Sequence, residues 1–151
     1  MIKHLNIKDT NIAETVLKIQ KAAYKIEAER IGYDKIPPLQ ESLSELQASN
    51  EIFYGYYLDN ILVGLLSFKV KDYILDIHRM AVHPAFFRRG IANSFLQFIE
   101  KNKYGAKKII VSTGKENTPA VHLYLKNGYI KVGESEISKG IYLTNFEKKI
   151  V

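Results

Sequence analysis

Three β-rich runs follow one another with almost nothing between them: "EIFYGYYL", "ILVGLLSFKV" and "YILDIHRMAV", residues 51–58, 61–70 and 73–82. Connections that short leave no room for a helix, so the runs must pair as an antiparallel meander. Asp59-Asn60, between the first two, tolerates the left-handed conformation of a tight turn. His83-Pro84 stops the third run, and the pattern then changes. Ile91, Phe95, Phe98 and Ile99 mark one face of a helix reaching about Lys103. "KKIIVST" reads as a strand, "TPAVHLYLKNG" as a helix closed by Gly128, and "YIKVGESEI" with "IYLTNFEKKI" as a last pair of strands. A strand, a corner, a helix and a further strand call for a right-handed crossover.

Ahead of the meander, "IKHLNI" alternates as a short strand. From Asn11, the residues Ile12, Val16, Ile19, Ala23 and Ile26 trace a helical face. "IPPLQ" breaks that helix, and "LQESLSELQAS" predicts a second one. The expected order is β-α-α-β-β-β-α-β-α-β-β, one mixed α/β domain over residues 1–151 without linker or repeat. A chain of this size can bury a core unaided. It contains no cysteine, which excludes disulfides, thiolate catalysis and thiolate metal sites. His4, His78, His83 and His122 share no metal-ligand spacing, so no metal is expected. The opening "MIKHLNIKDTNIAE" lacks a signal-peptide core, and no apolar run approaches the ~20 residues of a membrane span. The expectation is a soluble, cytoplasmic protein with no membrane partner.

Lysine and arginine exceed aspartate and glutamate by 22 to 16, a net charge of +6. Such an excess either solvates the surface or attracts an anion, depending on where the charges gather. One gathering place is "HPAFFRRGIANSFLQFIE", where Arg88 and Arg89 sit beside Gly90 at the start of a helix. A helix's first turn leaves amide donors unpaired and carries the positive end of the dipole. Gly90 lets a ligand approach the backbone, Ala92 keeps the next contact small, and two guanidinium forks suit phosphate. The corner has the chemistry of a diphosphate site. Neither G-x-x-x-x-G-K-S/T nor G-x-G-x-x-G occurs, so the two common nucleotide loops gain no support.

"RMAVHPAFFRRGIANSFLQFIE" resembles the signature segment of the GNAT acetyltransferases, enzymes that use acetyl-coenzyme A. In that family a strand ending in apolar-x-Val-x-Pro leads into Q/R-x-x-G-x-G/A, whose amides cradle the coenzyme's pyrophosphate. The last four positions here are Arg89, Gly90, Ile91 and Ala92, while Phe87 stands where the family has Gln or Arg. That departure removes a polar side chain from a cradle made mainly of backbone. Downstream, "ENTPAVHLYLKNGYI" is similar to the family's N-x-x-A-x-x-L-Y-x-K/R-x-G-F/Y at Asn117, Ala120, Leu123, Tyr124, Lys126, Gly128 and Tyr129. On the residues alone the same stretch is an ordinary amphipathic helix. The resemblance implies a GNAT-like acyl-CoA N-acyltransferase fold. It also implies an acetyl-coenzyme A site formed by Met80, Ala81, Val82, Arg88, Arg89, Gly90, Ile91, Ala92, Asn93, Asn117 and Lys126. Within that site it places Tyr124 near the sulfur as the acid.

Acetyl transfer needs an uncharged amine, and at pH 7 only roughly one lysine-like amine in 2,500 is neutral. A base or a desolvating pocket must help. Strand alternation puts Ile74, Asp76, His78, Met80 and Val82 on one face if no bulge intervenes, with Arg79 pointing the other way. Asp76 matches the position where some family members hold a glutamate base, and an imidazole ordinarily titrates near neutrality, so His78 is a second candidate. The pair could equally serve only to bond neighbouring strands. The family's transfer is direct, from thioester to amine.

For the acceptor, "AAYKIEAERIGYDKIPP" offers Tyr24, Glu27, Glu29, Tyr33 and Asp34 as a mixture of acids and aromatics able to hold a cationic amine. The expected partner is a small-molecule, peptide or protein amine, and a homodimer is compatible with the chain. Two rivals stand beside the transferase: a non-catalytic coenzyme A-binding regulator, and a basic nucleic-acid-binding module. The second would gather its cations on one face with aromatics for stacking, whereas here they are spread out.

Overall fold

The protein's structure, a computed structural model, describes residues 1–150. Strand β1 (Ile2–Leu5) leads into α1 (Thr10–Ile31), whose first turn is capped by the Asp9 carboxylate accepting from Asn11 N at 3.0 Å. Gly32, in the left-handed conformation at φ 70°, ends it. The segment "IPPLQ", expected only to break the helix, itself forms a short helix, α2 (Pro37–Gln40), and the helix expected across "LQESLSELQAS" is confined to α3 (Leu43–Gln47). The prolines sit in the first turn of α2, where a missing N–H costs nothing. Ser42 starts α3 anew through a reciprocal capping box with Glu45.

The meander is β2 (Ile52–Leu58), β3 (Ile61–Lys71) and β4 (Ile74–Val82). Its first turn uses Asp59 and Asn60 at φ 49° and 65°, as their type suggested. A 3-10 turn (Pro84–Phe86) then leads to α4 (Ile91–Asn102), β5 (Lys108–Gly114), α5 (Thr118–Lys126), β6 (Ile130–Ser138) and β7 (Ile141–Lys149). Seven strands form one mixed sheet in the order β1-β2-β3-β4-β5-β7-β6. Among the described residues the only parallel pair is β4 with β5, joined through α4. Helices α1 and α3 cover one face over Leu5, Phe53, Leu65 and Ala81. On the other face α4 and α5 bury Phe95, Leu96 and Tyr124 against Phe68, Leu75 and Ile77. The central strand β3 is buried from Val63 to Phe68, as a strand covered on both faces must be.

Two irregularities in the middle of this sheet create the site. Strands β4 and β5 pair only through Ile74 with Lys108, Leu75 with Ile109 and Asp76 with Ile110. Beyond that point they diverge, and their facing edges have no strand partner among the described residues. Between β3 and β4, Phe68 lies opposite Ile77 and Ser67 opposite Arg79, so His78 is an extra residue in a β-bulge. A bulge bends its strand, which carries β4 away from β5.

The same bulge overturns the alternation expected for β4. Leu75 and Ile77 belong to the α4 side, and after the inserted His78 it is Met80 and Val82 that reach that side. Arg79 and Ala81 turn towards α1. Ile74, Asp76, His78, Met80 and Val82 therefore do not share one face. Arg79 instead joins the polar group of Asp76 and His78.

Candidate active site

The divergence of β4 and β5 opens a cleft of about 820 Å³ that runs through the sheet from α4 towards α1. At one end is the start of α4. Gly90 is its N-cap, at φ 75°, and provides no side-chain cap, so the first-turn amides are left without an acceptor among the described residues. A Cβ on Gly90 would touch nothing within 4 Å, so conformation, not crowding, calls for glycine here. Arg88 is itself left-handed at φ 64°. Arg88, Gly90, Ile91, Ala92 and Asn93 all line the cleft. Arg89 does not: its guanidinium lies over the Phe86 ring, 5.1 Å from the centroid. One wall of the cleft is Met80, Ala81 and Val82 from β4, and the other includes Asn117, Tyr124 and Lys126.

Tyr124 is 4% exposed and packs against Tyr129 and Phe146, with ring centroids 5.7 and 5.5 Å away. Burial pushes its phenol well above the ordinary range, and the nearby Tyr24 and Glu27 push the same way. The hydroxyl therefore keeps its proton until something basic takes it. Asn117, at the start of α5, does not cap its own helix. Its amide donates to Glu27 Oε1 at 2.7 Å and to Thr113 Oγ1 at 3.3 Å. The backbone N–H of Met80, just past the bulge, donates into the cleft to Tyr24 Oη at 3.3 Å. Burial raises the Tyr24 phenol too, with Glu27 adding to the effect.

Asp76 and His78 do meet, His78 Nε2 lying 3.5 Å from Asp76 Oδ2. His78 lines the cleft, whereas Asp76 stands behind it, outside the lining. Burial lifts the Asp76 carboxyl above its ordinary value and Glu51 adds to that, while His78 works against it. On its other side His78 Nδ1 is 3.8 Å from Glu51 Oε2. Glu51 belongs to a buried network that residue types alone did not reveal. It accepts from Arg79 Nε at 2.9 Å, Arg79 Nη2 at 3.1 Å and Ser67 Oγ at 2.5 Å. Arg79 also bonds Glu41, and donates from Nη1 to Gln20 Oε1 at 2.9 Å. Burial favours the neutral acid of Glu51, yet the hydrogen bonds from Arg79 and Ser67 outweigh it and hold the pKa down at about 2.

Gln20, Tyr24 and Glu27 thus form a polar stripe along α1. Gln20 and Tyr24 reach Arg79 and Met80 on β4, and Glu27 reaches Thr113 and Asn117 on the opposite arm. Their i, i+4, i+7 spacing is the signal that could have singled them out as a set. His83 is structural: its Nδ1 accepts from Ala85 N at 3.1 Å. Among the described residues no group of three or more His, Asp or Glu side chains could hold a metal ion, and no helix is long and apolar enough to cross a membrane.

Residues 16–150 match the acetyltransferase (GNAT) domain family. The chain belongs to the GNAT acetyltransferases. It is 41% identical over 146 residues to the UPF0157 protein YqkA of Bacillus subtilis (strain 168), covering 97% of this chain and 43% of that protein. The chain thus spans less than half the length of this relative. The fold resembles a PaiA N-acetyltransferase from Thermoplasma acidophilum, solved in complex with coenzyme A. That likeness has a TM-score of 0.80 at 21% identity, over 99% of this chain and 98% of the other. It also resembles the ribosomal-protein-S18-alanine N-acetyltransferase from Escherichia coli, with a TM-score of 0.79 at 14% identity, over 99% and 93% of the two chains. At such identities the two structures establish the GNAT fold of this chain and nothing finer.

Proposed function

We propose that this GNAT domain moves an acetyl group from acetyl-coenzyme A to a primary amine by direct attack within a ternary complex. The observation that carries the reading is the open V between β4 and β5, whose unpaired edges lie beside the uncapped first turn of α4. Backbone donors there suit a diphosphate, and two free strand edges suit the amide-bearing arm that follows it. When bound, the coenzyme supplies an activated thioester.

The chain's own groups supply the rest. The first-turn amides of Ile91, Ala92 and Asn93, with Arg88 and the exposed Lys126, hold the phosphates. Arg89, stacked on Phe86, contributes charge from a distance and no direct contact. The N–H of Met80 is the donor aimed at the developing oxyanion. Its present bond to Tyr24, at 3.3 Å, is long and readily exchanged for a charged acceptor. The protonated Tyr124 hydroxyl donates to the departing sulfur. His78, at the cleft wall, accepts the proton of the amine, and Asp76 and Glu51 act through it as positioning groups.

An acetyl-coenzyme A consumption assay across amine classes tests the reading. Turnover with at least one class is expected, and His78→Ala should flatten the acidic limb of the pH–rate profile. A chain that binds the coenzyme yet consumes none with any amine is a regulator instead, and an unaltered profile removes His78 from the proton path.

A further inference from the structure

Glu27 is the only carboxylate lining the cleft among the described residues. It is half-buried and forms no ion pair with any described cation. Its Oε1 is fixed by two donors, Asn117 Nδ2 at 2.7 Å and Thr113 Oγ1 at 3.1 Å. Its Oε2 has no hydrogen-bond partner among the described residues. A carboxylate that lines an open cleft and is pinned by one oxygen only is a ready acceptor for an ammonium group. Of the acids in residues 22–38 that could serve an amine, Glu29 and Asp34 lie outside the cleft lining.

The surroundings limit which amine fits. Arg30 and Lys35 also line the cleft, and Arg30 Nη1 approaches Asn117 Oδ1 at 3.5 Å, one turn along α1 from Glu27. The rest of this end is apolar or aromatic, including Tyr33, Ile36, Pro37 and Leu143. One free negative charge flanked by two positive ones welcomes a single cation and repels further ones.

We infer that Glu27 is the acceptor-binding carboxylate, and that the acceptor is a primary amine bearing one positive charge on an apolar or anionic remainder, not a polycation. This rests on the acetyltransferase reading of the cleft, and the test separates the two. The protein saturated with coenzyme A is titrated calorimetrically with phenylalanine amide, phenylalanine and spermidine. At least one phenylalanine compound should bind about tenfold or more tightly than spermidine. Glu27→Gln keeps an oxygen for Asn117 and Thr113 but removes the charge. It should weaken amine binding by about tenfold or more while leaving coenzyme A affinity within about twofold. Preference for spermidine, no binding of either phenylalanine compound, or amine affinity unchanged in Glu27→Gln would overturn the inference while the coenzyme still binds. Loss of coenzyme A binding by the unaltered protein would instead overturn the reading beneath it.

Discussion

At the scale of single residues, Tyr124 and Glu51 differ in what they stake. Tyr124 sits in an apolar shell that keeps its phenol protonated, a state useful only if a strong base arrives beside it, as a leaving thiolate would. Tyr124→Phe should lower kcat by about tenfold to a hundredfold while the coenzyme's Kd hardly moves, which steady-state kinetics and calorimetry separate. Glu51 is a partner of the buried Arg79, so Glu51→Gln leaves a charge poorly compensated and should cost about 3 kcal/mol in urea denaturation. Its pH dependence has a defined sign. The folded pKa of about 2 lies below the ordinary 4.5, so the stability it contributes is fully present above about pH 4.5. That contribution falls away as pH drops towards 2, and Glu51→Gln should abolish this part of the acid-unfolding profile. Neither Glu51 nor Glu41 could be picked out of the sequence, because what matters is their proximity to Arg79. That proximity depends on one inserted residue, His78, which reverses the facing of everything after it. Nothing in the residue types of "LDIHRM" announces a bulge.

At the scale of elements, the start of α4 was legible because its requirements are local. A left-handed N-cap wants glycine, and an anion wants unpaired amides, both of which "RRGIA" displays. A Cβ at residue 90 meets no neighbour, but Gly90→Val is strained at φ 75°, so the backbone should shift and coenzyme A affinity should fall by about tenfold. Far-ultraviolet circular dichroism should remain that of the folded protein. The helix expected across "LQESLSELQAS" is shorter than its pattern, because the capping box at Ser42 and Glu45 starts it only at Leu43. The polar stripe on α1 was harder to see. Its members look like solvated flank residues until the far side of the cleft brings β4 and β5 to meet them.

At the scale of the whole molecule, the middle of the strand order follows from connection lengths: short turns made the meander, and the helix between β4 and β5 made the parallel pair, whereas the placing of β7 between β5 and β6 does not follow from them. What connection lengths do not encode is that this parallel pair stops after three residue pairs. That gap turns a closed sheet into a cleft with donors at one end and Glu27 at the other. Titration of acetyl-coenzyme A into the protein, followed by calorimetry, tests this most directly. Saturable heat with about one coenzyme per chain is expected, diminished in Gly90→Val and in competition with free coenzyme A. Absence of heat and of competition at high protein concentration would contradict the assignment of the cleft.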